Sequence, residues 1–405
     1  MTRGELGGPD DADQPAADGR MTRLSHGGRT GPYEGAVNLP PYRASTVLFD
    51  RVADLDSADP DWSSTRYGRT GNPASRAFEE AMTELEGGYR AVSFGSGLQA
   101  ITTSLLAFCK AGDHLLVTDS CYGPTRDFCT NSLAGLGVEV EYYDPLIGGA
   151  IADLLKPNTR AVFLESPGSL SFEVQDVPAI VAAVKDRGII TLLDNTWSAG
   201  WYFRPLSLGV DVSLQAATKF IAGHADANLG VAVCTRETWR TLKRTAVLIG
   251  ACAGSEDLYL GLRGLRTLGL RMERHQRSGF TIAEWLAARP EVTRVLHPGR
   301  PGDPGHALWA RDFTGASGLF TIELAPVPRA AVSAMVDGLR YFGIGFSYGG
   351  FESLILPTNP ARSRTATPFK ADGPLLRIHV GLEEPGDLIR DLAAGFDRLN
   401  DAVAS

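Results

Sequence analysis

From Arg90 to Cys234 the chain repeats one alternation, a short apolar run, a turn, then a stretch with apolar residues at every third or fourth position. The runs predict strands at Arg90–Phe94, His114–Thr118, Val138–Tyr143, Arg160–Glu165, Ile189–Leu193, Val212–Ala216 and Gly230–Cys234. The periodic stretches predict helices at Leu98–Lys110, Thr125–Ala134 and Val177–Lys185. Continuous apolar strands separated by helices indicate an α/β fold with a mostly parallel sheet covered on both faces. In such sheets ligands bind beyond the carboxyl ends of the strands.

After Gly254 the pattern changes. A long helical region, Leu258–Arg289, leads to a turn-rich stretch at Pro298–Pro304. Strand Gly318–Leu324, helix Arg329–Leu339, a glycine-rich loop at Gly343–Gly350, strand Leu375–Val380 and helix Pro385–Val403 follow. This reads as a smaller α+β domain. The length, 405 residues, suits two domains.

Composition narrows the function classes. A net charge of −8 gives no electrostatic footprint for nucleic acid or an anionic membrane surface. No apolar run approaches the roughly 20 residues that span a bilayer. Residues 1–20 are rich in Asp, Gly, Ala and Pro and lack the apolar core of a signal peptide, so a disordered tail is expected, with Met21 an alternative start. The cysteines, Cys109, Cys121, Cys129, Cys234 and Cys252, match neither a disulfide framework nor a zinc site. They are expected to be small buried hydrophobes in a reducing cytoplasm. The histidines show no metal-binding spacing, and His224 near Asp226 reads as a structural pair.

Candidate chemistry falls just past strand ends. Among the few lysines, Lys219 alone follows an apolar strand with apolar residues on both sides. Desolvation there lowers an amine's pKa and frees it as a nucleophile; the same context suits a surface lysine laying its stem on apolar neighbours. Asp194 ends the run Ile189–Leu193, where a carboxylate is costly unless paired. A protonated cofactor ring nitrogen is one partner and a helix N-terminus the other. Gly95-Ser96-Gly97-Leu98 joins a strand to a helix, and backbone N–H groups of Gly97 and Leu98 there suit a phosphate, to which Thr218 can add its hydroxyl. The turn is neither a dinucleotide fingerprint nor a Walker motif. Tyr122 is placed to stack on a planar ring, worth about 0.5–1.5 kcal/mol, or simply to fill a turn. Arg377, at alternating strand spacing, either clamps a substrate carboxylate or faces solvent.

Together these residues resemble a known family. Leu214-Gln215-Ala216-Ala217-Thr218-Lys219 with Gly223-His224-Ala225-Asp226 is similar to the lysine segment of the Cys/Met-metabolism enzymes that use pyridoxal 5'-phosphate (PLP). Phe163–Ser169, Asp194-Asn195-Thr196-Trp197, Arg263–Gly269, Arg311–Gly315, Gly349–Ile355 and Arg377–Glu383 resemble the cystathionine β-lyase branch most. The resemblance runs from about Gly35 to near the C-terminus. It implies the type I PLP-transferase fold, like aspartate aminotransferase, and carbon–sulfur β-elimination on cystathionine. It divides the chain into an arm at 21–60 that contacts a neighbouring subunit, a PLP-binding domain at 61–255 and a C-terminal domain at 256–405.

By the same resemblance Lys219 holds the cofactor as a Schiff base and Asp194 holds its ring nitrogen. Tyr122 stacks on the ring, while Gly97, Leu98 and Thr218 hold the phosphate. Tyr67 and Arg69 reach the phosphate of the neighbouring subunit's cofactor, so a homotetramer built from dimers is implied. Tyr67 is also a possible proton donor. Arg377 and Ser347 bind the substrate α-carboxylate, and Tyr348 lies in the same substrate loop. Two features depart from the β-lyase pattern. Phe346 and Tyr348 stand where that branch carries Tyr and Trp, and Thr70-Gly71-Asn72-Pro73 is closer to the γ-synthase and γ-lyase branch. The alternative implied is γ-elimination or γ-replacement, or a carbon–sulfur lyase of specialised metabolism.

Overall fold

The computed structural model describes residues 18–29, 35–57, 59 and 61–405. In chain order its first half contains α1 (Arg20–His26), α2 (Val52–Asp56), α3 (Pro73–Glu86), β1 (Arg90–Phe94), α4 (Gly97–Phe108), β2 (His114–Thr118), α5 (Gly123–Asp127), β3 (Glu139–Tyr143), β4 (Thr159–Glu165), α6 (Val177–Val184), β5 (Ile190–Asp194), β6 (Val212–Gln215), β7 (Gly230–Cys234) and α7 (Arg236–Leu248). The second half contains α8 (Ser255–Leu265), α9 (Leu268–Ala287), β8 (Val292–Leu296), α10 (His306–Asp312), β9 (Leu319–Leu324), α11 (Arg329–Asp337), β10 (Gly343–Ile344), β11 (Leu354–Thr358), β12 (Leu375–His379) and α12 (Pro385–Ala404).

The first sheet has the order β1-β7-β6-β5-β4-β2-β3, and β7 alone runs against its neighbours. Its central strands are apolar throughout because both faces are covered. Alternate residues go to opposite sides. Leu115, Val117, Phe163 and Leu214 pack with α4 and α7, whereas Leu116, Val162, Leu164 and Leu193 pack with α6. The second sheet, β10-β11-β12-β9-β8, is antiparallel except for β10 beside β11. Phe320, Ile322 and Ile378 on it share a core with Ile282 of α9, Met335 of α11 and Phe396 of α12.

Several expectations from the sequence need adjusting. The predicted helix Thr125–Ala134 is a short α-helix that widens into a π-helical stretch at Phe128–Leu133. The region Leu258–Arg289 is two helices, broken at Arg266 and Thr267. Helix α1 starts at Arg20, within the expected tail, whose first 17 residues lie outside the described ones. Cys252 is exposed while the other four cysteines are buried. Helix α3, absent from the sequence reading, is capped by the Asn72 side chain, which accepts from Ala74 N and Ser75 N, and opens with Pro73.

One buried carboxylate ties the two halves together beside the strand ends. Asp119, just past β2, accepts the backbone N–H groups of Thr365, Ala366 and Thr367 at 2.9–3.1 Å, and pairs with Arg126. These bonds hold its carboxyl below the usual aspartate value of 3.8 despite burial. Asp119→Ala leaves Arg126 and three backbone donors without their acceptor, and should lower stability by about 3 kcal/mol in denaturant unfolding near neutral pH. Because the folded-state pKa is depressed, this contribution is complete at neutral pH and is lost only as pH falls below the ordinary aspartate range, so the difference between native and variant protein should shrink there.

Candidate active site

The carboxyl ends of β4, β5 and β6 converge, as a parallel sheet requires. Asp194 is the last residue of β5 and only 8% exposed. Its Oδ1 accepts the Thr196 hydroxyl at 2.6 Å and the Thr196 N–H at 3.0 Å. Its other oxygen, Oδ2, has no hydrogen-bond partner among the described residues, and Asp194 lines a pocket with Glu165, Thr196, Trp197, Tyr348 and Arg377. Burial raises the Asp194 carboxyl, while the Thr196 bonds and the Lys219 charge oppose that rise. A buried carboxylate with one committed and one open oxygen is suited to a cationic partner from outside the chain.

Lys219 sits in the turn after β6. Its Nζ donates to Ser347 Oγ at 2.6 Å and lies 4.9 Å from the Tyr348 ring centre. Burial, with repulsion from Arg377, pushes the amine down to about 8, and Asp194 pulls the other way. Near neutral pH a usable fraction of this amine is therefore unprotonated, which an ordinary surface lysine cannot offer.

The loop that meets Lys219 is held in an unfavourable shape. Ser347 has φ +94°, in the left-handed region that non-glycine residues rarely adopt; such residues cost of order 1–3 kcal/mol. Strand β12 supplies the restraint. Arg377 donates to Ser347 O at 3.0 Å, and His379 Nε2 lies 3.1 Å from both Gly349 N and Gly350 O. Gly349, at φ +83°, leaves no room for a side chain, since a Cβ there would lie 2.6 Å from Phe220 N. The loop thus rests directly on the backbone after Lys219. Burial keeps His379 neutral, at about 3.

At the opposite end, Ser96 Oγ accepts from Gln99 N and caps α4. The Gly97 and Leu98 N–H groups, without partners inside the helix, have none elsewhere among the described residues. Gly97 is required by packing, because a Cβ would come 2.4 Å from Ala216 Cβ. The Thr218 hydroxyl is already engaged: it donates to Leu229 O at 3.1 Å and accepts from Leu229 N at 2.9 Å. Tyr122 stands before α5, 44% exposed, in electrostatic reach of Asp194, Glu165 and Arg377.

Tyr67 and Arg69 do not join this group. Tyr67 is 45% exposed, and Arg69 donates to Val247 O at 2.8 Å near the end of α7. Glu165, to which sequence reasoning gave no role, does join it. It ends β4 in register with Asp194, and its Oε2 accepts Tyr122 N at 2.7 Å. Burial and the neighbouring Asp194 push its carboxyl well above the usual range. The signal was available, since Glu165 and Asp194 end adjacent predicted strands. A larger groove lined by Trp62, Glu80, Tyr89 and Trp239 contains none of these residues. Among the described residues one cluster, His114, Glu139 and Glu141, has metal-ligand spacing, but Lys156 Nζ already bridges the two carboxylates.

The donor set fits PLP: an amine of depressed pKa, a buried carboxylate with an open oxygen, and free N–H groups at a helix start. Comparison with known proteins agrees. The family model described as Cys/Met metabolism PLP-dependent enzyme matches residues 21–397. The chain is 45% identical over 387 residues to a cystathionine β-lyase of Escherichia coli, covering 93% of this chain and 98% of the relative. It is 41% identical over 387 residues to a cystathionine β-lyase of Haemophilus influenzae, with the same coverage of 93% and 98%. A crystal structure of cystathionine γ-synthase from Xanthomonas oryzae, in complex with aminoacrylate and cysteine, superposes with a TM-score of 0.86 at 34% identity, covering 94% of this chain and 98% of that one.

The electrostatics around Lys219 are testable in the protein without cofactor. Arg377→Leu removes a repelling charge and should move the Lys219 midpoint upward from about 8, whereas Asp194→Asn removes an attracting one and should move it down. Competitive acetylation over a range of pH, read at Lys219 by mass spectrometry, measures both shifts. Equal midpoints in all three proteins would contradict this account.

Proposed function

The chain belongs to the Cys/Met metabolism PLP-dependent enzymes, and from that premise we propose that it cleaves the Cβ–sulfur bond of cystathionine with water to give homocysteine, pyruvate and ammonia. The observation that carries this reading is the Lys219 amine, at about 8 and hydrogen-bonded to Ser347, held in the electrostatic field of Asp194. The β-lyase relatives at 41–45% identity favour β- over γ-chemistry.

In this reading Asp194 Oδ2 would hold the cofactor's ring nitrogen and the Lys219 amine would be the group that attaches it. The Gly97 and Leu98 N–H groups hold the phosphate, with Thr218 joining if its bond to Leu229 is exchanged. Tyr122 covers the ring, and Glu165 fixes the Tyr122 turn through its backbone N–H. When bound, PLP supplies an electron sink for the charge left at the substrate α-carbon.

The chain's own groups do the rest. Arg377 takes the substrate α-carboxylate in its guanidinium fork, with Ser347 and Tyr348 beside it. With substrate bound, the Lys219 amine would be the group placed to remove the α-proton. An amine with a pKa near 8 is well matched to that transfer. The departing thiolate would take a proton from Lys219, from Tyr122 or from the partner subunit's Tyr67. Tyr67 and Arg69, remote from this chain's own pocket, reach the cofactor phosphate of a neighbouring copy, in a homotetramer built from dimers. Residues 61–255 serve as the cofactor-binding domain and 256–405 as the C-terminal domain. Five free cysteines suit a reducing cytoplasm.

A second reading, γ-elimination or γ-replacement, has one specific support, the likeness to the Xanthomonas γ-synthase structure. Product analysis separates the two. Cystathionine should yield pyruvate and homocysteine, not 2-oxobutanoate and cysteine. Lys219→Ala should abolish the visible absorption of the cofactor-loaded protein and reduce pyruvate formation by about 10³-fold or more. A visible band with 2-oxobutanoate as product would retain the cofactor and overturn the β-lyase reading.

A further inference from the structure

Resting on that reading, we infer that Glu86 is a positioning residue: from the last turn of α3, its carboxylate sets the backbone that presents Asp194, Ala216 and Lys219 to the cofactor. No motif singles it out, and it touches neither pocket nor solvent, being 1% exposed.

The carboxylate accepts from three side chains. Asn195 Nδ2 lies 3.2 Å from Oε2 and 3.4 Å from Oε1, Ser213 Oγ lies 3.1 Å from Oε1, and Gln215 Nε2 also donates to Oε1. A carboxyl removed from water persists where donors replace its hydration. These donors are not scattered. Asn195 directly follows Asp194, and Gln215 directly precedes Ala216. Between them runs a short chain of bonds, from Ala216 N to Thr196 Oγ1 at 2.9 Å and from Thr196 Oγ1 to Asp194 Oδ1 at 2.6 Å. Ala216 O in turn accepts Lys219 N at 3.0 Å, and the Ala216 side chain fills the space that Gly97 leaves open. A small shift of Gln215 is therefore felt by the ring-nitrogen acid, by the phosphate turn and by the amine together.

The donors also favour an acid here over an amide. Asn195 cannot turn its amide over, because Oδ1 is bound by Ser198 Oγ and Nδ2 also donates to Phe203 O at 3.0 Å. Glutamine at position 86 would set its own NH2 against that of Asn195 or Gln215. Gly200 packs closely against the pair, since a Cβ there would be 2.9 Å from both Glu86 Oε1 and Gln215 Nε2. Arg20 of α1 is the charged group facing the carboxylate, itself repelled by Arg204, and its guanidinium is fixed on Gly200 O and Trp201 O. Burial pushes Glu86 up to about 7.

The test compares native protein with Glu86→Gln and, as a variant that leaves α3 intact, Asn195→Ala. Three quantities are read: the dissociation constant of PLP by equilibrium dialysis, the pH midpoint of the visible band, and the melting midpoint of the cofactor-free protein. Glu86→Gln should weaken PLP binding about tenfold or more and displace the band's midpoint, with a melting midpoint lowered by only a few degrees. Asn195→Ala should shift binding and band the same way by a smaller factor. Native affinity and native band in either folded variant overturns the inference, as does a lowered melting point with both unchanged. Should Glu86→Gln not fold, Asn195→Ala decides. Failure of the native protein to bind PLP overturns the functional reading first, which distinguishes that outcome from a failure of the Glu86 assignment.

Discussion

The site depends on keeping opposite charges dry without letting them neutralise each other. Asp194 and Lys219 occupy neighbouring strand ends, feel one another electrostatically, and yet bond to different groups, Thr196 and Ser347. Had they formed a direct buried ion pair, the amine would have stayed protonated and the carboxylate would have had no oxygen to spare. Their separation is a property of the sheet. Parallel strands fix where each residue emerges, and the turn after β6 carries Lys219 back over the strand ends. The two hydroxyls come from different places, Thr196 just past β5 and Ser347 on the loop braced by β12, and each occupies its charged partner without adding charge.

That framework is also what the sequence made readable. The strands Arg90–Phe94, His114–Thr118 and Gly230–Cys234 match the predicted bounds because uninterrupted apolar runs admit few other structures. Asp194 and Lys219 stood out for the same reason, as polar residues ending such runs. The direction of β7 was not legible, since an apolar strand reads the same either way. Helix α3 was as legible as the strands, with Phe78, Met82 and Leu85 at helical spacing behind an Asn72-Pro73 start, and lies outside the alternation that begins at Arg90. The π-helical stretch at Phe128–Leu133 has the apolar content of an ordinary helix, so its sequence does not distinguish the two.

Local sequence was least informative where function depends on contacts between distant segments. Nothing in Gly345-Phe346-Ser347-Tyr348-Gly349-Gly350 announces that Ser347 adopts a left-handed conformation. That shape is imposed by Arg377 and His379, some thirty positions later, and by the absence of a side chain at Gly349. Glu86 was invisible for a related reason. A glutamate near a strand or helix end is ordinary in sequence, and only burial among specific donors gives it meaning. Phe346, by contrast, is 88% exposed and makes plain that this loop presents an apolar face outward. Substitutions there leave the restraint from β12 untouched.

Strand β12 brings these strands of argument together. Arg377 and His379 alternate with apolar residues, so Leu376 and Ile378 enter the C-terminal core while the two polar side chains reach the pocket side. Arg377 holds Ser347 in place and also depresses the Lys219 amine through space. A substrate carboxylate bound to that guanidinium would offset its charge and relax part of the depression. The amine would then regain basicity as the substrate arrives, when a stronger base for the α-proton is useful. The second sheet is thus more than a support for the loop at Ser347: through one arginine it also sets part of the electrostatics of the Lys219 amine.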